Sequence, residues 1–120
     1  MNVFRDTLRR IAERVADTRA VAIVGLDGIP VETYSVGEGL PIESVAAELL
    51  GLVKSAQNPR AELSLGPIRE LALVGDGQRA VLSRISREYY LLLLLGGGGI
   101  LGHGRHELAL AATALKEELV

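Results

Sequence analysis

The chain has no cysteine and no tryptophan, and its aromatic side chains are limited to Phe4, Tyr34, Tyr89 and Tyr90. Without thiols there is no disulfide, no thiolate nucleophile and no cysteine-ligated zinc or iron–sulfur site. With so few rings, the interior must be filled by Leu, Val, Ile and Ala. Basic charge is not in excess either: 13 Lys and Arg against 15 Asp and Glu leave a formal net charge of −2. That balance gives no electrostatic footprint for nucleic acid. Long apolar runs are missing as well. The longest, Tyr89–Leu95, has seven residues, against the ~20 that a membrane-spanning helix needs. The N-terminus, MNVFRDTLRR, carries charges where a signal peptide needs a continuous apolar stretch. These absences predict a cytoplasmic protein with no membrane insertion and no nucleic-acid partner.

What is present is globular. Apolar residues make up 48% of the chain and charged residues 23%, a balance that disordered segments do not have. A chain of 120 residues has room for one domain, expected to span residues 1–120.

Phe4, Leu8, Ile11 and Val15 recur at helical spacing, with Arg5, Arg9, Arg10, Glu13 and Arg14 elsewhere on the surface of that helix. Its arginines read as an exposed face. VAIVGLDGIPVETYS (21–35) predicts a hairpin, with Asp27-Gly28 at the turn. Pro30 places the second strand at an edge, or starts it just beyond. Pro41 suits the first turn of a helix over 41–57, which Asn58-Pro59 ends. Leu50 and Ala47 widen the apolar stripe of that helix beyond one packed face. Leu63 and Leu65 alternate with Glu62 and Ser64, predicting extended chain before Gly66-Pro67. Ile68, Leu71, Leu73 and Val74 predict a strand closed by Gly75-Asp76-Gly77. Ala80–Ile85 and the central Tyr89–Leu95 follow, and Leu101, Leu108, Ala111, Ala112, Leu115 and Leu119 share a face of a last helix. The order is α-β-β-α-β-β-β-α. Short strand-to-strand connections make those pairs antiparallel, a fold of the α+β type within the broad α/β class.

Gly97, Gly99 and Gly102 satisfy G-x-G-x-x-G between the apolar strand and the last helix. In a dinucleotide fold such glycines bring bare N–H groups to a phosphate at a helix N-terminus. Here only 18 residues follow Gly102, too few to complete a βαβ unit, and the sheet reads as antiparallel. No Lys-Ser/Thr follows for a Walker loop. The glycines therefore read as a tight strand-to-helix connection. His103 and His106, with Glu107 adjacent, lack a third ligand at any motif spacing and read as a solvated helix face. No G-x-S-x-G elbow is present. The expectation is a protein that is not an enzyme, with no catalytic residue, no cofactor and no metal.

With the elements in order, VAIVGLDGIPVETYS (21–35), GPIRELALVGDG (66–77), AVLSRISREYYLLLLL (80–95) and ILGHGRHELALAATALKEEL (100–119) carry a resemblance. The chain resembles the Roadblock/LC7 family, and within it the prokaryotic, MglB-like branch of small-GTPase regulators. Leu101, Gly102 and Arg105 match the start of that family's closing helix. Ile100 stands where Asn is common, which removes a helix cap that the preceding glycines are expected to replace. The resemblance implies a five-stranded antiparallel sheet with helices on both faces. It also implies a homodimer formed through the third strands and second helices, which binds a Ras-like small GTPase as an activator or scaffold. Placed on this sequence, the dimer or partner interface falls on Val45, Leu49, Leu52, Val53, Ile68, Leu71 and Leu73. No arginine finger can be chosen among Arg60, Arg69, Arg79, Arg84 and Arg87. The alternative function is an assembly adaptor without effect on nucleotide turnover. A nucleotide or small-ligand sensor using the glycine loop is a third reading.

Overall fold

An extended backbone turns successive side chains to opposite faces of its sheet, so a run of leucines in a strand supplies two interiors at once. In the computed structural model, which describes residues 2–119, Leu91, Leu93 and Leu95 enter one buried cluster, and Tyr90, Leu92 and Leu94 enter another. The elements around them are α1 (Val3–Arg14), β1 (Thr18–Gly25), β2 (Pro30–Ser35), α2 (Ile42–Ala56), β3 (Glu70–Val74), β4 (Gln78–Arg84), β5 (Tyr89–Gly96) and α3 (Leu101–Leu115). The strands form one sheet in the order β2-β1-β5-β4-β3, every neighbouring pair antiparallel. The most apolar strand is therefore central, as its composition predicts.

Two helices cover one face. Leu8, Ile11 and Val15 from the α1 segment, and Leu108, Ala112 and Leu115 of α3, pack on Val21, Ile23 and the odd-numbered leucines of β5. Asn2 caps α1 by accepting from the Arg5 N–H at 3.1 Å, a contact that satisfies one of the four orphan donors of a helix start. The other face belongs to α2, whose Ala46, Leu49, Leu50 and Val53 sit on Ala20, Ala22, Val24, Leu82 and the even-numbered residues of β5. Small alanines on this side of β1 leave room for the helix backbone. Gly28, in the β1–β2 turn at φ 87°, lies so near α2 that a Cβ there would stand 3.1 Å from the Ala47 Cα. Both facts require glycine.

The path of α2 follows from the strand order. It leaves β2 at one edge, and the chain must reach β3 at the other, roughly 19 Å away across four strand spacings. A helix of 15 residues rises about 22 Å, enough to make the crossing and roof the sheet.

Two expectations need correction, while the hairpin turn falls at Asp27-Gly28 as expected. Glu62–Leu65 forms no strand: this stretch lies in the irregular segment between α2 and β3, with Leu63 and Leu65 exposed. Alternation alone supplies no neighbouring edge to bond, and Gly66, at φ 74°, turns the chain before Pro67. The hairpin turn spans Leu26–Ile29, with the Gly28 N–H donating to the Gly25 C=O at 2.8 Å and the Ile29 N–H to the Asp27 carboxylate at 3.0 Å. Asp27-Gly28 thus stands at the turn, within a four-residue Asx-type loop. Finally, the glycines do not cap α3, whose start at Ile100 has no side-chain cap.

The loop instead holds Asp17. This residue sits at φ 61° between α1 and β1. Its C=O accepts from the Gly96 N–H at 2.9 Å and its carboxylate from the Gly98 N–H at 2.9 Å. Gly99 donates to the Gly96 C=O at 3.1 Å. Three N–H donors of the loop are thus taken, two of them by an aspartate of the same chain.

The glycines of α3 differ in the same way. A Cβ on Gly104 would stand 2.9 Å from the Leu93 Cδ2, whereas one on Gly102 meets nothing within 4 Å. Gly104→Ala is expected to destabilise by about 1–3 kcal/mol through overpacking. Gly102→Ala, a residue of the dinucleotide-like pattern, is expected to be neutral or to stabilise by up to ~1 kcal/mol. Urea unfolding of the two variants beside the parent chain checks both signs.

Candidate partner interface

An edge strand exposes a row of backbone donors and acceptors, so most folds blunt it with charge, proline or cover. The two edges of this sheet are treated differently. At β2 the first residue is Pro30, which has no N–H. The Arg5 guanidinium donates to the Thr33 C=O at 3.3 Å, lies 3.7 Å from the Glu32 carboxylate and stacks 5.5 Å from the centre of the Tyr34 ring. Asn2 donates to Glu32 from the same side at 3.2 Å. The N-terminal helix thus closes this edge.

At β3 the sequence Glu-Leu-Ala-Leu-Val is uncharged after its first residue, and four of its five positions are exposed. Register with β4 pairs Leu71 with Leu82 and Leu73 with Ala80, which puts both leucines on the α2 side. Ala72 and Val74 face the other way. Leu73 is 40% exposed and Val74 62%. The outer side of α2 adds Leu52, at 45%.

The strand is nevertheless held firmly. The Ile68 N–H donates to the Gln57 side chain at 3.0 Å, and the Tyr90 hydroxyl donates to the Ile68 C=O at 2.5 Å. The Arg84 N–H bonds the Arg69 C=O at 2.9 Å. Arg105 of α3 reaches Glu70 with two guanidinium nitrogens, and that carboxylate raises the arginine's pKa above its ordinary value. These contacts tie the approach and first residue of β3 to the C-terminal end of α2 and to β4, β5 and α3. The unpartnered edge is preorganised, so pairing it requires little ordering of the chain.

Of the seven interface residues expected from the sequence, Leu49 and Val53 are buried beneath α2 in the chain's own core, and Val45, Ile68 and Leu71 are partly buried against it. Leu52 and Leu73 are the exposed ones. Val74 was overlooked as a candidate; its position one residue before the Gly75-Asp76-Gly77 turn was the available signal.

The remaining candidates are dispersed. His103 lies 3.5 Å from one oxygen of Glu107, whose other oxygen faces Arg14 at 3.7 Å; His106 is exposed. No group of three or more His, Asp or Glu converges among the described residues. Arg79 is half-buried and donates to the Gly99 C=O, a structural role, while its Nε has no partner. Arg9 bridges Asp6 and Glu13 along α1. No described helix is long and apolar enough to cross a membrane.

No protein-family model matches the chain, and no curated protein does. Solved structures match over nearly its whole length. A structure of MglB in a tetrameric arrangement superposes with a TM-score of 0.85 at 15% identity, covering 94% of this chain and 85% of that one. A Roadblock/LC7 domain from Streptomyces avermitilis gives 0.82 at 16% identity, covering 99% and 98%. The chain has the Roadblock/LC7 fold. MglC from Myxococcus xanthus, at 28% identity and a TM-score of 0.72, covers 97% of this chain and 98% of its own. Helices on both faces of a five-stranded antiparallel sheet, implied by the resemblance, are therefore present in the Roadblock/LC7 arrangement.

The clamp on β3 is open to test. Burial pushes the Tyr90 phenol above its ordinary pKa of 10.0, with Arg84 pulling it part of the way back. Between the unfolded and folded pKa values the unfolded chain holds fewer protons, so stability falls as pH rises through and above about 10. Tyr90→Phe is expected to cost about 1 kcal/mol at neutral pH for the lost hydrogen bond. The gap between parent and variant should then shrink in alkaline solution, as read by urea unfolding at a series of pH values.

Proposed function

We propose that the protein works as a homodimer joined along β3 and α2, and that the dimer is a non-catalytic regulator of a Ras-like small GTPase. One observation carries the reading: in a fold shared with MglB, the apolar strand β3 is left uncovered at its edge while β2 is closed. A second copy placed antiparallel against β3 continues the sheet across a two-fold axis, an isologous contact of the commonest kind. Leu52 and Leu73 supply its apolar centre on the α2 side, with Val45 and Leu71 partly buried beside them, and Val74 adds apolar surface on the opposite face of the edge. Leu49, Val53 and Ile68 act from inside each protomer, holding α2 and the strand in place.

Regulation by such a dimer is indirect. It binds one nucleotide state of the GTPase better than the other and so shifts the population of the GTPase's switch segments. None of Arg60, Arg69, Arg84 and Arg87 is singled out as a direct transition-state contact. The proposed setting is the cytoplasm, with residues 1–120 as one domain and no cofactor.

Leu73→Asp is expected to give a folded monomer under conditions where the parent chain sediments as a dimer, because a charge at the centre of a paired edge is left desolvated. Val31→Asp on β2 should leave the dimer intact. Tagged parent protein, incubated with lysate in GDP and in a non-hydrolysable GTP analogue, should retain a small GTPase in one condition, and Leu73→Asp should lose it. Retention of a receptor or filament component with no dependence on nucleotide would replace the regulator with an assembly adaptor.

A further inference from the structure

On the face covered by α1 and α3, the β4–β5 turn, the last turns of α3 and Pro67 before β3 border a groove of about 860 Å³. Its floor is apolar. Ile85 and Ala112 are buried there, and Tyr89 and Leu119 are half-buried beside them. Its rim is cationic: Arg84, Arg87 and Lys116 line it, and Glu88 is the one carboxylate among the described lining residues. Elsewhere Arg5, Arg9, Arg14, Arg19 and Arg105 are in ion pairs, while Arg10, Arg60, Arg69 and Arg79 are scattered singly over other surfaces. Among the described residues, none of the three rim cations takes part in one. In a chain whose net charge is −2, this is a concentrated positive patch.

The rim is also preformed. Ile85 and Ser86 donate their N–H groups to the Tyr89 C=O at 2.8 and 3.2 Å, which fixes the turn that carries Arg84 and Arg87. Lys116 follows the last residue of α3.

We propose that this groove docks an extended acidic–aliphatic segment of a partner protein, its carboxylates on Arg84, Arg87 and Lys116 and a Leu- or Ile-sized side chain on the floor. Guanidinium groups suit carboxylates because their donors match both oxygens, and complementary charge fixes register. The volume falls within the ~300–1,000 Å³ of small-molecule and peptide-side-chain sites. A nucleic acid fits poorly. Only Tyr89 offers a ring for stacking, and an apolar floor has nothing to bind in a phosphate backbone. The inference does not depend on the dimer or on the GTPase.

The test uses the full chain and two fluorescent synthetic peptides of equal length, one alternating Glu and Leu and one alternating Lys and Leu. Anisotropy should show binding of the acidic peptide, weakened as salt rises from ~50 to ~300 mM. The Lys peptide and a single-stranded oligo-dT should bind at least about tenfold more weakly. Amide shifts on titration should cluster at residues 84–89 and 112–119. The double substitution Arg84→Glu with Lys116→Glu should lower affinity about tenfold or more, and far-UV circular dichroism reports whether it folds. Arg87→Gln, in an exposed turn, provides a second and milder variant, expected to weaken binding without touching the floor. Equal binding of the two peptides, shifts confined to other surfaces, or unchanged affinity in both variants would overturn the proposal. Preference for the oligonucleotide, or for phosphatidylserine vesicles run beside it, would overturn it as well. Sedimentation of the same variants reports the β3 dimer separately, so failure of one reading leaves the other standing.

Discussion

Everything in this molecule rests on the pleat of β5. Because successive side chains of a strand point to opposite faces, one run of leucines seeds two hydrophobic clusters, and all three helices pack against what it starts. A strand buried on both faces must be central, since its own backbone needs partners on both sides. β1 and β4 supply those partners, and β2 and β3 are thereby driven to the edges. The scarcity of aromatic residues fits this plan. Leucines and alanines stack close to the sheet, and the one buried ring, Tyr90, uses its hydroxyl to position the approach to an edge.

The edges then define the surface available for partners. A sheet that ends in unpaired backbone groups invites pairing with any other strand, and this chain prevents that on one side only. Proline, an arginine donating to a backbone carbonyl and the Glu32 carboxylate paired with that arginine occupy the β2 edge. The β3 edge has apolar side chains and a firm anchorage, through Ile68 and Glu70, to the rest of the fold. That asymmetry, together with the Roadblock/LC7 architecture, is the physical basis of the proposed homodimer. The cationic groove beside the β4–β5 turn lies on the opposite side of the sheet from α2, so two different partners have separate places to bind.

The glycine loop separates a motif from its chemistry. Spacing alone matched a dinucleotide pattern, but phosphate binding needs free donors in the loop that leads to the helix, and Asp17 occupies the Gly96 and Gly98 N–H groups there. Between residues 96 and 104, neighbouring atoms crowd Gly96, Gly98, Gly99 and Gly104. Two of the three residues of the pattern, Gly97 and Gly102, have room for a Cβ. Likeness to MglB at 15% identity has the same moral. The fold is preserved by alternation, turns and burial, and these survive when most residue identities do not.

Local patterning was enough for the element order, the central strand, the β2 edge signalled by Pro30, the start of α2 at Pro41 and the apolar face of α3. Each depends on neighbours close in sequence: side-chain periodicity, a fixed φ or a missing N–H. The resemblance to Roadblock/LC7 was legible for the same reason, since it is a resemblance of pattern. Contacts between distant segments were not. The Asp17 carboxylate meets Gly98 across 81 positions, Arg105 meets Glu70 across 35 and Tyr90 meets Ile68 across 22. The sequence shows an over-wide stripe on α2, but which side of it is left for a partner depends on how the helix lies across the sheet. The fold decided that Leu49 and Val53 are core while Leu52 and Leu73 are surface. It also left Leu63 and Leu65 without a strand to join, because alternation specifies which way side chains point and only a neighbouring edge can supply the hydrogen bonds that make a strand.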